Sequence, residues 1–406
     1  MLLYIHVPFC RTRCNYCAFH SVPLGRQGSV TESPAFREYV DTLFMELALW
    51  GDRYKGMPVS SIFLGGGTPS LVPPRILQVL LDRVRAIFTV AGNAEITLEA
   101  NPESVSSHNQ IRAYASAGVN RLSIGMQSLD DAYLRLLGRS HKAKDSFHSV
   151  FNAREAGIQN INVDVMWGLP QQGVRHWLNT LKDVIRMKPE HISSYGLTIE
   201  PGTPLELDCT EGLVSLPPER DQSVMFMEGA ALLESMGYLH YEISNFARMG
   251  FQCRHNVGYW EGEDYLGLGP SATSTIQNRR WTNPASQKAW AAGVQAQTLD
   301  ASPEWLTPRL RVLELIMLRL RTARGMRVKA YRELTGRDFL RDHQRMVRAL
   351  HENGLIRIRD GYLRLTRSGM LVSSSILANL FEQTDEQLKK HPLPELVSPA
   401  PETGIA

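Results

Sequence analysis

Between residues 2 and 197, short strand-like runs alternate with longer helical ones, and this alternation restricts the fold more than any other feature of the chain. The strand runs fall at 2–6, 60–64, 95–100, 121–126, 160–167 and 191–197, and helical patterns occupy 35–53, 74–88, 107–117, 143–156 and 174–187. Repeated strand–helix units predict a parallel sheet covered by helices and joined by right-handed crossovers. The pattern alone permits either an incomplete six-unit barrel or a flat doubly wound sheet.

Polar residues cluster where these strands end. Residues 60–64 run into Gly65, Gly66, Gly67, Thr68 and Pro69, residues 95–98 into Glu99 and Asn101, residues 122–125 into Gln127, and residues 162–163 into Asp164. In parallel α/β folds the carboxyl ends of the strands form the active face. The first strand delivers Cys10, Cys14 and Cys17 to the same rim, spaced C-x3-C-x2-C. An iron–sulfur cube ordinarily takes four cysteine ligands, so three thiolates at this spacing can hold three corners and leave one iron without a protein ligand. Soft thiolates select iron–sulfur clusters or zinc, and a closed zinc site completed by His20 stays open on residue types alone. So does a trio of ordinary buried cysteines.

The other rim residues have chemistry to match. Glycines permit close backbone approach, which suits the amino-acid end of a ligand. Ionised Glu99 can accept hydrogen bonds from an ammonium or a ribose hydroxyl. Gln127 and Asp164 suit a ribose or a second cationic ligand, and Arg139 suits a carboxylate held in bidentate fashion. Taken singly, each is equally well read as a cap or a turn residue.

Composition narrows the class further. With 43% apolar and 21% charged residues the chain reads as a soluble globular protein, which argues against disorder or a fibre. A formal charge of +3 is too small to imply a polyanionic partner. There is no uninterrupted apolar run of about 18 residues, and the N-terminus lacks the basic-then-apolar pattern of a secretory signal. Five cysteines, three of them clustered, fit a reducing compartment, and the cytoplasm is the expected location. A length of 406 residues accommodates one large domain and a smaller one.

The expected boundaries are 1–200 for the partial barrel, 201–304 for a connector, 305–380 for a smaller domain and 381–406 for a proline-rich, disordered tail. In the smaller domain, helical runs at 308–321, 328–334 and 339–353 precede Asp360-Gly361, flanked by alternating apolar residues. That dipeptide signals a hairpin, and helices followed by a hairpin suggest a winged-helix-like α+β module. Its arginines raise a nucleic-acid reading. Interspersed Glu314, Glu333, Asp338, Asp342 and Glu352 favour a solvated face, so no nucleic-acid partner is expected.

Tyr4-Ile5-His6-Val7-Pro8-Phe9, placed directly before the cysteine triplet, resembles the start of a radical S-adenosylmethionine (SAM) protein of the oxygen-independent coproporphyrinogen III oxidase family. The resemblance extends over roughly residues 2–380. It implies an α/β fold, an incomplete (β/α)6 radical SAM barrel, with a [4Fe-4S] cluster on Cys10, Cys14 and Cys17 whose open iron is chelated by SAM. Carried over residue by residue, Tyr4, Gly66 and Glu99 match family positions that touch the cluster-bound SAM. Gly67, Thr68, Gln127, Arg139 and Asp164 match positions assigned to a second SAM.

His255, Tyr259 and Trp260, in the pattern H-N-x-x-Y-W, are similar to a motif linked to haem binding in the family's haem-chaperone branch. Imidazole can ligate haem iron; a histidine beside aromatics is also read as a packed core residue. Two departures from the catalytic members favour that branch. Phe19 stands where they carry a fourth cysteine, and the triplet starts at Cys10 without their N-terminal extension. A third departure counts against a haem contact, because Thr273 stands where relatives have a histidine. The resemblance thus implies a haem chaperone that binds haem or a porphyrin and passes haem to acceptor proteins, respiratory ones among them, with peripheral membrane contact through the acceptor. Oxidative decarboxylation of coproporphyrinogen III and action on RNA are the alternatives.

Overall fold

The computed structural model describes residues 1–25 and 30–394. It divides into two compact units, one comprising Met1–Tyr259, Glu263–Ile276 and Trp281–Pro303, the other Trp260–Gly262, Gln277–Arg280 and the chain from Glu304 onward. The segment 201–304, expected as a separate connector, therefore belongs largely to the first unit.

The first unit is built on six parallel strands: β1 (Leu2–Val7), β2 (Pro58–Gly66), β3 (Thr89–Ala100), β4 (Arg121–Gln127), β5 (Asn160–Trp167) and β6 (His191–Gly196). The helices between them are α1 (Pro34–Tyr54), α2 (Pro74–Ile87), α3 (His108–Ala117), α4 (Ala143–Glu155) and α5 (Val174–Arg186). Each strand pairs with the next in sequence, giving the spatial order β1-β2-β3-β4-β5-β6. Right-handed crossovers that always advance in one direction put every helix on one face of the sheet. The other face then becomes the inside of a partial barrel, and the doubly wound alternative is excluded.

The barrel does not close on itself. Later strands cover its edges: Tyr265–Leu268 pairs in parallel with β1, and Asn245–Ala247 pairs antiparallel with β6. The six-strand core is thus flanked on both sides, and the open edges of the sheet fall on the short outer strands Leu239–Glu242 and Glu304–Trp305.

Along each strand the two faces differ in character. On β4, Leu122, Ile124 and Met126 are fully buried towards the helices, while Arg121, Ser123, Gly125 and Gln127 face inward. Registered rows carry the polar face across the sheet, since Glu99 lies beside Ser123, Ser123 beside Asn162, and Asn162 beside His191. Small closed barrels fill this space with branched apolar side chains. Here the interior is polar and hollow.

A buried carboxylate ties α1 to the later part of the unit. Glu46, 0% exposed, accepts hydrogen bonds from Trp50 Nε1 (3.4 Å), Gly269 N (2.7 Å), Asn283 Nδ2 (2.7 Å) and Trp290 Nε1 (3.1 Å). Every neighbour donates, so a side chain that brings its own N–H leaves donors facing donors. Glu46→Gln is expected to lower stability by about 2 kcal/mol, the cost of unsatisfied buried polar groups, seen as a reduced midpoint in a denaturant titration with an unchanged slope.

In the second unit, Pro308–Leu320, Val328–Thr335 and Gln344–Glu352 are helical, and Met326–Arg327, Tyr362–Leu365 and Ile356–Arg359 form a three-stranded sheet in that spatial order. Helix, strand, three helices and a hairpin give the expected winged-helix order, with the run expected at 339–353 split into Phe339–Asp342 and Gln344–Glu352. Asp360 and Gly361 have φ of 54° and 77°, as a two-residue hairpin turn requires. Several of the arginines are engaged by acids: Arg337 pairs with Asp342 at 2.8 Å, Arg348 with Glu352 at 2.8 Å, and Arg332 with Asp338 at 2.5 Å. This pairing supports the solvated-face reading. The expected tail is corrected for residues 381–390, which belong to the helix Ser373–Lys390. Leu380, Thr384 and Leu388 are buried along one side of it, which gives the segment an apolar reason to stay helical. Residues 395–406 lie outside the described residues.

Candidate functional site

The barrel interior holds a cavity of about 680 Å³. Its rim is formed by the carboxyl ends of the strands and by the cysteine loop. Its floor is formed by the starts of β4 and β6 and by the segment around His255.

The loop is pinned at both ends and in the middle. Phe9–Cys10 pairs in parallel with Val22–Pro23. Between Cys14 and Cys17, Asn15 receives N–H from Leu205 (3.0 Å) and donates to Leu137 O (3.0 Å) and, through Nδ2, to Leu136 O (2.8 Å). All three cysteines of the triplet line the cavity. Thr68 Oγ1 donates to Cys10 Sγ at 3.6 Å and Arg139 Nη1 to Cys14 Sγ at 3.4 Å, donors that favour thiolates. Burial raises the Cys10 and Cys17 thiols against this. His20 is not part of the cavity wall, which leaves the zinc reading without its fourth ligand there.

The glycine run also makes a close approach within the chain itself. A Cβ on Gly67 would stand 2.6 Å from Phe9 O, and one on Gly66, whose φ is +109°, would stand 2.6 Å from the His6 ring. The close approach is to the cysteine loop itself, sealed by Gly67 N donating to Val7 O (2.8 Å) and Thr68 N to Phe9 O (2.7 Å). Gly66 and Gly67 still border the cavity.

Glu99, Asp164 and Glu200 line the same space. Glu99 Oε2 accepts from Gly66 N at 3.1 Å, and burial, then the nearby Asp164, pushes its pKa up to about 8. Asp164 accepts from Asn162 Nδ2 (2.8 Å) and Ser123 Oγ (3.4 Å), and burial raises it as well. Gln127 ends β4 in the left-handed region at φ 63°, with a register shift beside it. A non-glycine residue held there is a local cost that marks functional rims. Arg139 departs from expectation. Its Nη2 donates to Asn101 Oδ1 (2.6 Å) and Gly125 O (2.8 Å) while Nη1 reaches Cys14, so it braces the loop rather than offering a free fork to a ligand carboxylate.

At the floor, His255 is 2% exposed and begins the helix Arg254–Glu261. Glu95 holds the start of that helix, accepting from Arg254 N (3.1 Å), His255 N (3.2 Å) and Cys253 Sγ (3.3 Å). His255 Nδ1 is bonded to Ser61 Oγ at 2.9 Å, whereas Nε2 is buried with no protein partner among the described residues. Burial, then the Arg121 charge, lowers its pKa to about 3, so the imidazole is neutral at physiological pH. Phe63 and Tyr259 pack against the ring at 5.2 and 4.8 Å between centroids.

The remaining expectations are corrected. Trp260 does not line the cavity and falls in the second unit. Thr273 lies outside the cavity wall too, its Oγ1 bonded to Thr282 Oγ1 at 2.8 Å, so the residue type at this position removes nothing from the wall. Arg121, Ser123, Asn162, His191 and Ser193 line the cavity and were missed. Their signal was the every-second-residue polarity within β4, β5 and β6, not the strand ends.

Matches to known proteins agree with this geometry. Residues 4–184 match the model of the radical SAM superfamily, and residues 306–372 match the HemN C-terminal domain. Coproporphyrinogen III oxidase (HemN) from Escherichia coli has the same fold, with a TM-score of 0.78, 24% identity and coverage of 95% of this chain and 90% of that one. The chain is therefore of the radical SAM class, on a HemN-like scaffold. Heme chaperone HemW of Escherichia coli K12 is 41% identical over 68% of this chain and 70% of its own length. Heme chaperone HemW of Bacillus subtilis is 32% identical over 92% and 97% respectively. Radical S-adenosyl methionine domain-containing protein 1, mitochondrial, of Bos taurus is 34% identical over 95% and 88%. The chain belongs to the HemW family. Among the described residues no helix is long and apolar enough to cross a membrane.

Proposed function

We propose that this protein is a haem chaperone: it holds a [4Fe-4S] cluster on Cys10, Cys14 and Cys17, binds SAM against it, takes up haem and transfers it to acceptor proteins. The observation that carries the reading is one cavity whose wall includes the three thiols of the triplet, the carboxylates of Glu99, Asp164 and Glu200, and His255, whose buried Nε2 has no partner among the described residues. The donor set fits each group. Three thiols with hydrogen-bond donors at Cys10 and Cys14 suit a cluster with one iron left for a ligand. When bound, such a cluster supplies one-electron chemistry and a site of chelation for SAM.

Tyr4, Gly66 and Glu99 border the space beside the triplet, where Glu99 offers a carboxylate to the ammonium of SAM. Gln127 and Asp164 line the cavity where a second SAM would be met, while Gly67, Thr68 and Arg139 act chiefly by shaping the cysteine loop. His255 Nε2 is a neutral nitrogen of the type that ligates haem iron, walled by Phe63 and Tyr259. Phe19 in place of a fourth cysteine supports the chaperone reading over porphyrinogen oxidation.

The test is haem titration of the anaerobically reconstituted protein, followed by its Soret band. His255→Ala is expected to weaken binding at least about tenfold, equivalent to about 1.4 kcal/mol, and to change the band position. Undiminished binding with an unchanged spectrum removes His255 from the site. Formation of a vinyl product from coproporphyrinogen III under reducing, anaerobic conditions with SAM overturns the chaperone reading.

A further inference from the structure

The cavity floor holds a cation that neither the cluster nor the expected SAM contacts use. Arg121 is the first residue of β4 and points into the barrel at the end opposite the cysteine loop. It is 2% exposed, and its Nε has no hydrogen-bond partner among the described residues. The nearby acids are spent elsewhere. Glu95 accepts from Arg254 N, His255 N and Cys253, and Asp164 accepts from Ser123 and Asn162. Their field, with that of Cys253 and Tyr241, outweighs burial and keeps Arg121 charged, but no carboxylate among the described residues forms an ion pair with it.

A buried charge without a contact partner is costly, and natural chains keep one only where something repays the cost. A guanidinium matches a carboxylate in bidentate fashion, and does so most strongly where water is excluded. The same floor presents the second buried group lacking a partner, His255 Nε2, and Arg121 lies near enough for its charge to act on that imidazole. Two orphaned groups therefore share one end of one cavity: a neutral nitrogen for a metal and a fixed cation for an anion.

We propose that Arg121 is the carboxylate-binding residue of the cavity floor, receiving a propionate of the tetrapyrrole whose iron His255 meets. This deepens the haem reading and rests on it. The other carboxylate able to enter is that of SAM, which the cysteine loop at the rim would draw to the far end.

The experiment compares haem with its dimethyl ester, in which both propionates are blocked, on the cluster-reconstituted full chain and on Arg121→Met and Arg121→Lys. Arg121→Met is expected to weaken haem binding by at least about tenfold, the scale of a truncated buried charge pair. The ester is expected to bind the unmodified protein more weakly than haem and to lose nothing further in Arg121→Met. Arg121→Lys is expected to recover part of the haem affinity.

Equal losses for haem and ester, or a lowered melting temperature with affinities unchanged, overturn the proposal in favour of a structural role. A loss of SAM binding with haem binding intact assigns the residue to the SAM carboxylate and overturns it as well. If the parent binds neither haem nor ester, the haem reading itself fails and takes the proposal with it. That outcome is distinct from haem binding that is indifferent to residue 121.

Discussion

Cys14→Ser is expected to abolish cluster assembly: iron and sulfide fall to background after reconstitution, the charge-transfer absorbance is lost, and no 5′-deoxyadenosine forms when SAM and reductant are added. The reason is the position of Cys14 in the loop. Its thiol receives the Arg139 guanidinium at 3.4 Å, and its neighbour Asn15 is bonded to the backbone of residues 136, 137 and 205. The loop cannot slide to offer another ligand. The remaining cysteines are out of reach by chain placement, since Cys253 is buried at the floor against Glu95 and Cys209 does not line the cavity. Because the ligand change leaves the buried barrel strands untouched, the far-ultraviolet dichroism should match the parent. A variant that retains its iron would show that the triplet is not the cluster site.

Glu99→Gln is expected to weaken SAM binding by about tenfold, or about 1.4 kcal/mol, and to flatten its dependence on pH. In the ligand-free protein the Glu99 carboxyl is raised to about 8 by burial, with Asp164 adding to the effect. An ammonium ligand needs the ionised form, so affinity in the parent should rise with pH through the region of 8 and level off above it. The limiting slope is one decade per pH unit for one proton released. The sign for folding is opposite. A carboxyl raised from 4.5 to about 8 contributes stability that is complete below 4.5 and is lost as pH rises through the folded value. Ligand-free protein should therefore gain from Glu99→Gln above pH 8, while its SAM affinity falls. Calorimetric titration between pH 6 and 9 measures the affinity, and thermal melts over the same range measure the stability. An affinity that does not change with pH in the parent would remove Glu99 from the ammonium site.

How much of this could be read from the chain alone depended on distance along it. The six strands and the helices between them were legible because each periodicity lies within a dozen or so residues. Asp360-Gly361 announced its hairpin for the same reason, as a turn depends on the φ preferences of two adjacent residues. The cysteine triplet was equally plain. The glycine run was legible too, but its close approach to Phe9 and His6 was not, because those residues lie more than fifty positions away. The bonds of Arg139 were hidden for the same reason, as its partners Cys14, Asn101 and Gly125 come from three separate segments.

By itself, then, the sequence determined the alternating architecture, the clustered cysteine triplet and the carboxylates at the strand ends, because these follow from local periodicity and from the chemistry of single side chains. The tertiary structure alone decided that Cys10 and His255 open into one cavity, that Trp260 does not, and that Arg121 stands at the floor without a contact partner. Burial and hydrogen-bond satisfaction are properties of groups brought together by the registered rows of β3, β4, β5 and β6. Nothing within reach of Arg121 along the chain tells whether its charge is paired; only closure of the sheet around it does.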